Sequence, residues 1–282
     1  MNYKTINWDI IEDEFDEYVW DKATAQYWLD TRVPVSNDLR DWRTLPDTEK
    51  SVINRVVGGG LALLDTLQSE EGVDVMRPDV RTRKEAAVIN DFLMMESIHA
   101  KSYGTILTSL NDQATVDEVF NWMNNNPPRM QYKAKRINDI YQTGNNLEKK
   151  VASVFLEGIL YYTNFFTPPL WYRGNNKLSN LSEVIKLVIR DESVHGTYLG
   201  YKFQLGYNEL PEAEQKTFKK WMNDLLDDLL ENEFAFTEEV YAPIGLAEDV
   251  KQFVHYNANK ALQNMGFESR FPHAEIEDIN RL

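Results

Sequence analysis

A chain of 282 residues, 43% of them hydrophobic, is long enough to bury one sizeable core, as one domain or two. It contains no cysteine, which excludes disulfides, zinc–thiolate sites and thiol chemistry, so any thiol its reaction needs must come from another polypeptide. A net charge of −15 repels phosphate backbones and argues against nucleic acid as a partner.

Along the chain, Met1–Ile10 lacks the cationic and apolar pattern of a signal peptide. Leu45-Pro46-Asp47 opens a helix that should run to about Gly72, and Gly58-Gly59-Gly60 lies inside it. Each glycine there costs roughly 1 kcal/mol relative to alanine, which points to close helix packing or to a local kink. A loop around Arg77-Pro78-Asp79 precedes a second helix, about Arg83 to Leu110. Asn124 to Pro128 is a breaker cluster, followed by a shorter helix to about Tyr141. Thr143-Gly144-Asn145-Asn146 separates that helix from a third long one, about Leu147 to Trp171, which Pro168-Pro169 should kink or end. The most apolar stretch, Val151–Phe166, is short for a membrane span and carries Glu157 and Asn164, so a membrane helix is not expected and the plain reading is a cytoplasmic protein. After a turn at Gly174-Asn175-Asn176, Asn180 and Glu183 have capping-box spacing at the head of a fourth long helix that runs to about Leu205, before Gly206. Pro211 opens a further amphipathic helix. No strand alternation and no internal repeat occur, so the chain reads as all-α.

Two of the four histidines, His99 and His195, each follow a glutamate by three positions, Glu96 and Glu192. On a helix those positions share a face, so each pair can aim a carboxylate and an imidazole at one point. A single such pair in so acidic a chain would be unremarked; two, each in mid-helix, are harder to assign to chance. The other two long helices each place one carboxylate in an apolar run, Asp65 in Leu61–Leu67 and Glu157 in Val151–Leu160. Either could face solvent, but a buried unpaired carboxylate must protonate or find a cation. Four helices offering carboxylate, Glu-x-x-His, carboxylate, Glu-x-x-His is the pattern of di-iron and di-manganese bundles. Four carboxylates with two imidazoles suit iron or manganese. Tyr103, one turn beyond His99, is either a core aromatic with a bonded hydroxyl or a phenol oxidised by the metal pair.

Glu96-Ser97-Ile98-His99-Ala100-Lys101-Ser102-Tyr103 and Ile189-Arg190-Asp191-Glu192-Ser193-Val194-His195-Gly196 resemble the radical-generating small (beta) subunit of class I ribonucleotide reductase, most closely class Ib. Leu64-Asp65-Thr66, Phe155-Leu156-Glu157, and Trp28 with Val33-Pro34-Val35-Ser36-Asn37-Asp38 fit the same family, and the resemblance runs from about Trp8 to about Phe271. It implies a ferritin-like four-helix bundle with additional helices and a dimetal carboxylate site in the bundle core. It implies a single domain over 1–282: an N-terminal segment 1–45, metal-binding helices 46–206, C-terminal helices 207–270, and 271–282 as the start of a tail. Asp65, Glu96 and His99 would ligate one metal, and Glu157, Glu192 and His195 the other, either as diiron or as dimanganese. Tyr103 would be the radical site, and Trp28 and Asp191, with His99, a path for coupled electron and proton transfer. Taken without the resemblance, Trp28 reads first as a core anchor and Asp191 as a solvated charge. The implied partners are a second copy in a homodimer, a large catalytic (alpha) subunit carrying nucleotide and cysteines, and, for manganese, a small flavodoxin-like protein that delivers the oxidant.

Two positions depart from the family pattern. Its flexible tail, which docks on the large subunit and carries a relay tyrosine, does not follow Ile279-Asn280-Arg281-Leu282, so the chain as written should assemble its cofactor yet couple poorly to the large subunit. The residue four after the third carboxylate is Tyr161 where phenylalanine is usual; it either packs with a bonded hydroxyl or competes for the oxidant, becoming hydroxylated or ligating a metal. Other functions open to a dimetal bundle are metal storage, direct oxidation of a small substrate, and a metal-free radical subunit. Asp65 and Tyr103 speak against storage, and the complete ligand set against the metal-free variant.

Overall fold

The computed structural model describes residues 5–125, 128–166 and 176–272, and among them no strand occurs. Helix α1 (Glu14–Ala25) begins where the Asp13 carboxylate accepts from the Phe15 amide, with Glu14, Asp16 and Glu17 in the first turn, where the helix dipole favours negative charge. The run α2 is helical without a break from Asp47 to Gly72. Helix α3 (Arg83–Leu110) is capped by the Thr82 hydroxyl. Two shorter helices, α4 (Gln113–Asn125) and α5 (Pro128–Thr143), follow. The run α6, Asn146 to Phe165, starts behind a capping box of Asn145 and Glu148. Helices α7 (Ser179–Tyr207), α8 (Glu212–Tyr241) and α9 (Ala247–Asn264) complete the chain.

Helices α2, α3, α6 and α7 form the bundle: α3 packs along α2, α7 packs along α6, and α3 and α7 meet across the centre. Each buries a stripe, as α3 does with Val88, Phe92, Met95, His99, Tyr103 and Ile106. Val151 to Leu156 of α6 are buried on every side, because α7, α8 and α9 enclose that helix. None of the described helices is long and apolar enough to cross a membrane.

Three π-turns interrupt the α-helical hydrogen bonding, two in α2 (Asn54–Leu61 and Gln68–Gly72) and one in α6 (Leu156–Leu160). Such turns admit an extra residue and re-aim the side chains beyond it. Gly58-Gly59-Gly60 lies in the first of them, and all three are closely packed: a Cβ on Gly58 would sit 2.2 Å from Leu107 Cδ1, one on Gly59 2.4 Å from Met123 Cε, and one on Gly60 2.2 Å from Asn164 Oδ1.

The head of α7 differs from the expected capping box. Leu178 precedes it in the left-handed region at φ 54, and no side chain of the helix caps it. The Asp38 carboxylate does so from the N-terminal segment, accepting from the Leu181 amide at 2.7 Å and from Asn180 Nδ2 at 2.7 Å. The helix also continues through Gly206 to Tyr207. Pro168 and Pro169, the turn at Gly174 and the tail from His273 lie outside the described residues.

Because Asp38 is that remote cap, Asp38→Ala should destabilise the metal-free protein by about 1–2 kcal/mol, seen as a lower urea midpoint at unchanged slope. An unmoved midpoint would show that the head of α7 is held by other means.

Candidate metal centre

Glu96 and His99 on α3, Glu192 and His195 on α7, Asp65 on α2 and Glu157 in the π-turn of α6 all point into the bundle axis, each between 0 and 2% exposed. Donor atoms of Asp65, Glu96, His99 and Glu192 lie within 4.8 Å of one another, and so do those of Glu96, Glu157, Glu192 and His195. The six residues expected from the sequence thus converge, and each expected trio lies within one cluster, with Glu192 also near the first and Glu96 also near the second. Nδ1 is the inward nitrogen of both imidazoles. His99 Nδ1 stands 3.0 Å from Glu192 Oε1, and His195 Nδ1 stands 2.9 Å from Glu96 Oε1 and 3.3 Å from Glu192 Oε2.

Four carboxylates in so dry a place repel one another. Burial first, then the charges of Glu96 and Glu192, push Asp65 well above the usual carboxylate range. Burial likewise drives Glu157 well up, against the partial relief of His195. Burial would raise Glu96 too, but the bond with His195 and the nearby His99 outweigh it and hold that carboxyl at about 2. For both histidines burial favours the neutral ring, yet the surrounding carboxylates raise them well above the ordinary value. Without cations, this set can neutralise itself only with protons. Both oxygens of Asp65 and of Glu192, Glu96 Oε2, Glu157 Oε2 and His99 Nδ1 make no hydrogen bond, although they are buried and converge. Orphaned lone pairs aimed at common points are what a cation requires, and two divalent ions would offset the four negative charges. With oxygen and imidazole donors and no thiolate, the set fits iron or manganese.

A second layer of contacts orients these ligands. Tyr141 donates to Gln68 Oε1 at 2.7 Å, which turns the Gln68 amide nitrogen toward Ser153 Oγ, at 2.8 Å, and toward Glu157 Oε1. Ser153 also donates to Glu157 Oε1, at 3.0 Å, so that oxygen is saturated and only Oε2 is left facing the centre. On the other side, Asp191 Oδ2 accepts from Trp28 Nε1 at 2.6 Å and lies 3.3 Å from His99 Nε2. Its Oδ1 accepts the Arg190 fork at 2.9 and 3.1 Å. Asp191 is therefore no solvated charge: burial would raise its pKa, but the bond with His99 and the other donors bring it below the usual value. Trp28 is both a core anchor and a donor to that carboxylate.

Tyr103 and Tyr161 are fully buried, and neither hydroxyl has a hydrogen-bond partner. Burial, then the charge of Asp65, pushes both well above the ordinary tyrosine range. The expected bonded hydroxyl, the bland alternative for each tyrosine, is not found. Gln68, Ser153, Tyr141 and Arg190 were not anticipated. Spacing could have suggested two of them, since Gln68 is one turn after Asp65 and Ser153 one turn before Glu157. Tyr141 comes from another helix, and Arg190 is adjacent to Asp191 in sequence, where no helical periodicity applies.

Residues 5–278 match the family described as ribonucleotide reductase, small chain. The ribonucleoside-diphosphate reductase subunit beta of Mycobacterium leprae is 44% identical over 275 residues, 98% of this chain and 83% of that protein. The Escherichia coli ribonucleoside-diphosphate reductase 2 subunit beta is 42% identical, over 98% of this chain and 85% of that one. The crystal structure of Streptococcus sanguinis dimanganese(II)-NrdF superposes with a TM-score of 0.94 at 58% identity, covering 96% of this chain and 95% of that one. The bundle is the ferritin-like fold of these proteins.

If Gln68 fixes Glu157, Gln68→Leu should weaken divalent binding at the Glu157/His195 position by about 10–100-fold and leave the Asp65/His99 position nearly unchanged. Titration with Mn(II) followed by EPR separates the two; equal loss at both positions, or none, would contradict the role.

Proposed function

This chain belongs to the ribonucleotide reductase small-chain family, and from that membership we propose that it is the radical-storing beta subunit of a ribonucleoside-diphosphate reductase, with Tyr103 as its radical site. The observation that carries the reading is a phenol, fully buried and without a hydrogen-bond partner, at the Asp65 edge of a convergent carboxylate–imidazole cluster. Members of the family are homodimers that work with a large subunit, and the lack of cysteine in this chain accords with thiols held on that other polypeptide.

In this reading Asp65 and His99 would help hold one ion and Glu157 and His195 the other, with Glu96 and Glu192 within reach of both. When bound, the two ions supply a one-electron oxidant after reaction with dioxygen or another oxidant. The remaining work falls to the chain. Gln68 and Ser153 hold Glu157 so that one oxygen faces inward. Tyr103 gives up an electron and its hydroxyl proton, and its burial keeps water and solutes from quenching the phenoxyl. Asp191 Oδ2 accepts from Trp28 Nε1 and lies 3.3 Å from His99 Nε2, so it can take the indole proton when the oxidising equivalent passes along Trp28 toward the large subunit. Arg190 pins the other oxygen of Asp191. The streptococcal relative is a dimanganese(II) protein. For this chain dimanganese, with a flavodoxin-like oxidant donor in the cytoplasm, and diiron with oxygen draw on the same donor set. Tyr161, also buried and unpartnered, is placed to compete for the oxidant.

Loading with Fe(II) and oxygen, or with Mn(II) and a reduced flavodoxin partner, should give a metal-coupled tyrosyl EPR signal that is retained in Tyr161→Phe and lost in Tyr103→Phe. Stoichiometric metal uptake with no radical under either condition would sink the proposal. Intact mass after loading tests the competition: added oxygen on the wild type and none on Tyr161→Phe is the expected pattern, and unmodified wild type counts against it.

A further inference from the structure

Each imidazole of the cluster leans on one aromatic ring that leads outward. Trp28 stacks on His99 with ring centroids 5.7 Å apart. Phe92 lies over His195 at 3.9 Å, and beyond it the contacts continue: Phe92 to Tyr198 at 5.6 Å, Tyr198 to Phe15 at 5.9 Å, and Phe15 to Tyr18 at 6.0 Å. Tyr18 is 57% exposed, so this row joins the metal cluster to the surface through α3, α7 and α1. Apolar packing alone would be served by leucines. What sets the row apart is Tyr198, which is fully buried and donates its hydroxyl to Asp16 Oδ1 at 2.6 Å.

A phenol can lose an electron in a dry interior only if its proton has somewhere to go. Burial, reinforced by the bond to Asp16, pushes Tyr198 far above the ordinary tyrosine range, so electron and proton must leave together. Asp16 is the built-in acceptor. Lys202, which pairs with it at 2.5 Å, also pairs with Asp13 at 2.9 Å and lies 3.5 Å from Glu85, so its charge keeps other partners when the proton arrives.

We propose that Tyr198 is a second redox-active tyrosine, which drains surplus oxidising equivalents from the His195 side of the centre to Tyr18 at the surface. This rests on the metal-centre reading above. The oxidant is the metal pair after reaction with dioxygen. One electron passes from the Tyr198 phenol across Phe92 to that pair, which is reduced by one electron; the phenol O–H bond breaks, and the proton bonds to Asp16 Oδ1. The Tyr198 phenoxyl then takes an electron from Tyr18 across Phe15 and recovers its proton from Asp16, while the Tyr18 proton goes to water. Phe92 and Phe15 provide contact only and are not themselves oxidised. The path would act when Tyr103 is already oxidised or when an extra equivalent arrives.

The test removes the productive sink. Full-length Tyr103→Phe, loaded with Fe(II) and oxygen, is freeze-quenched for EPR and then digested for mass spectrometry. A transient tyrosyl signal and oxidised Tyr18 are expected, both lost in Tyr103→Phe/Tyr198→Phe and in Tyr103→Phe/Asp16→Asn, and both kept in Tyr103→Phe/Tyr161→Phe. The Asp16→Asn variant leaves the phenol in place and guards against a folding defect, and metal stoichiometry is measured on every sample. A signal that survives loss of Tyr198, or that vanishes with Tyr161 instead, overturns the path. So does the lack of any tyrosyl signal in Tyr103→Phe when the wild type gives one. Failure of the wild type itself to form a radical would overturn the metal-centre reading, and this path with it.

Discussion

Mutual repulsion among four buried carboxylates is the constraint around which this bundle is built. Their charges cannot be left unbalanced in a medium of low polarizability, and the clusters themselves contain two imidazoles, raised well above their ordinary value by those carboxylates. The protein therefore folds with its least favourable electrostatics at its centre, balanced by protons or by metal ions. The surrounding apolar core, from Val56 and Leu64 to Phe155 and Val188, supplies the burial that makes this arrangement tolerable. The same dryness makes the site useful, because a phenol held there is shielded from water.

Holding six donors at common points demands more than regular helices. The π-turn at Leu156–Leu160 carries Glu157, and the π-turn at Gln68–Gly72 begins at the amide that orients it. Glycines at 58 and 60 let α2 approach Leu107 and Asn164 more closely than any side chain would permit. The two ends of the cluster are finished differently. Glu157 is clamped by neutral donors, whereas His99 is tied through Asp191 to Trp28 and Arg190. That asymmetry leaves one side of the centre joined by hydrogen bonds to Trp28, and the other side packed against the aromatic row behind His195.

Much of this was legible in the sequence, for identifiable reasons. The Arg83–Leu110 helix and the Asp47–Gly72 run were bounded by proline and loop residues, and the Glu-x-x-His pairs exposed their shared faces through helical spacing alone. Asp65 and Glu157 stood out because each interrupts an apolar run. That Glu96 and Glu192 lie near both clusters could not be read, since it depends on how closely α3 and α7 approach across the axis. Asp38 as the cap of α7 is invisible for the same reason: it is 143 residues from the amide it serves, and local spacing favoured Asn180. Burial of Asp191 was equally beyond a local reading, because the residues that cover it come from the N-terminal segment.

The central claim is that two ions sit between these helices with Glu96 and Glu192 common to both. Anomalous diffraction from manganese-loaded crystals measures it most directly. Two peaks are predicted, one flanked by Asp65 and His99, the other by Glu157 and His195, with Glu96 and Glu192 between them. A single peak, or peaks outside these six side chains, would contradict the account.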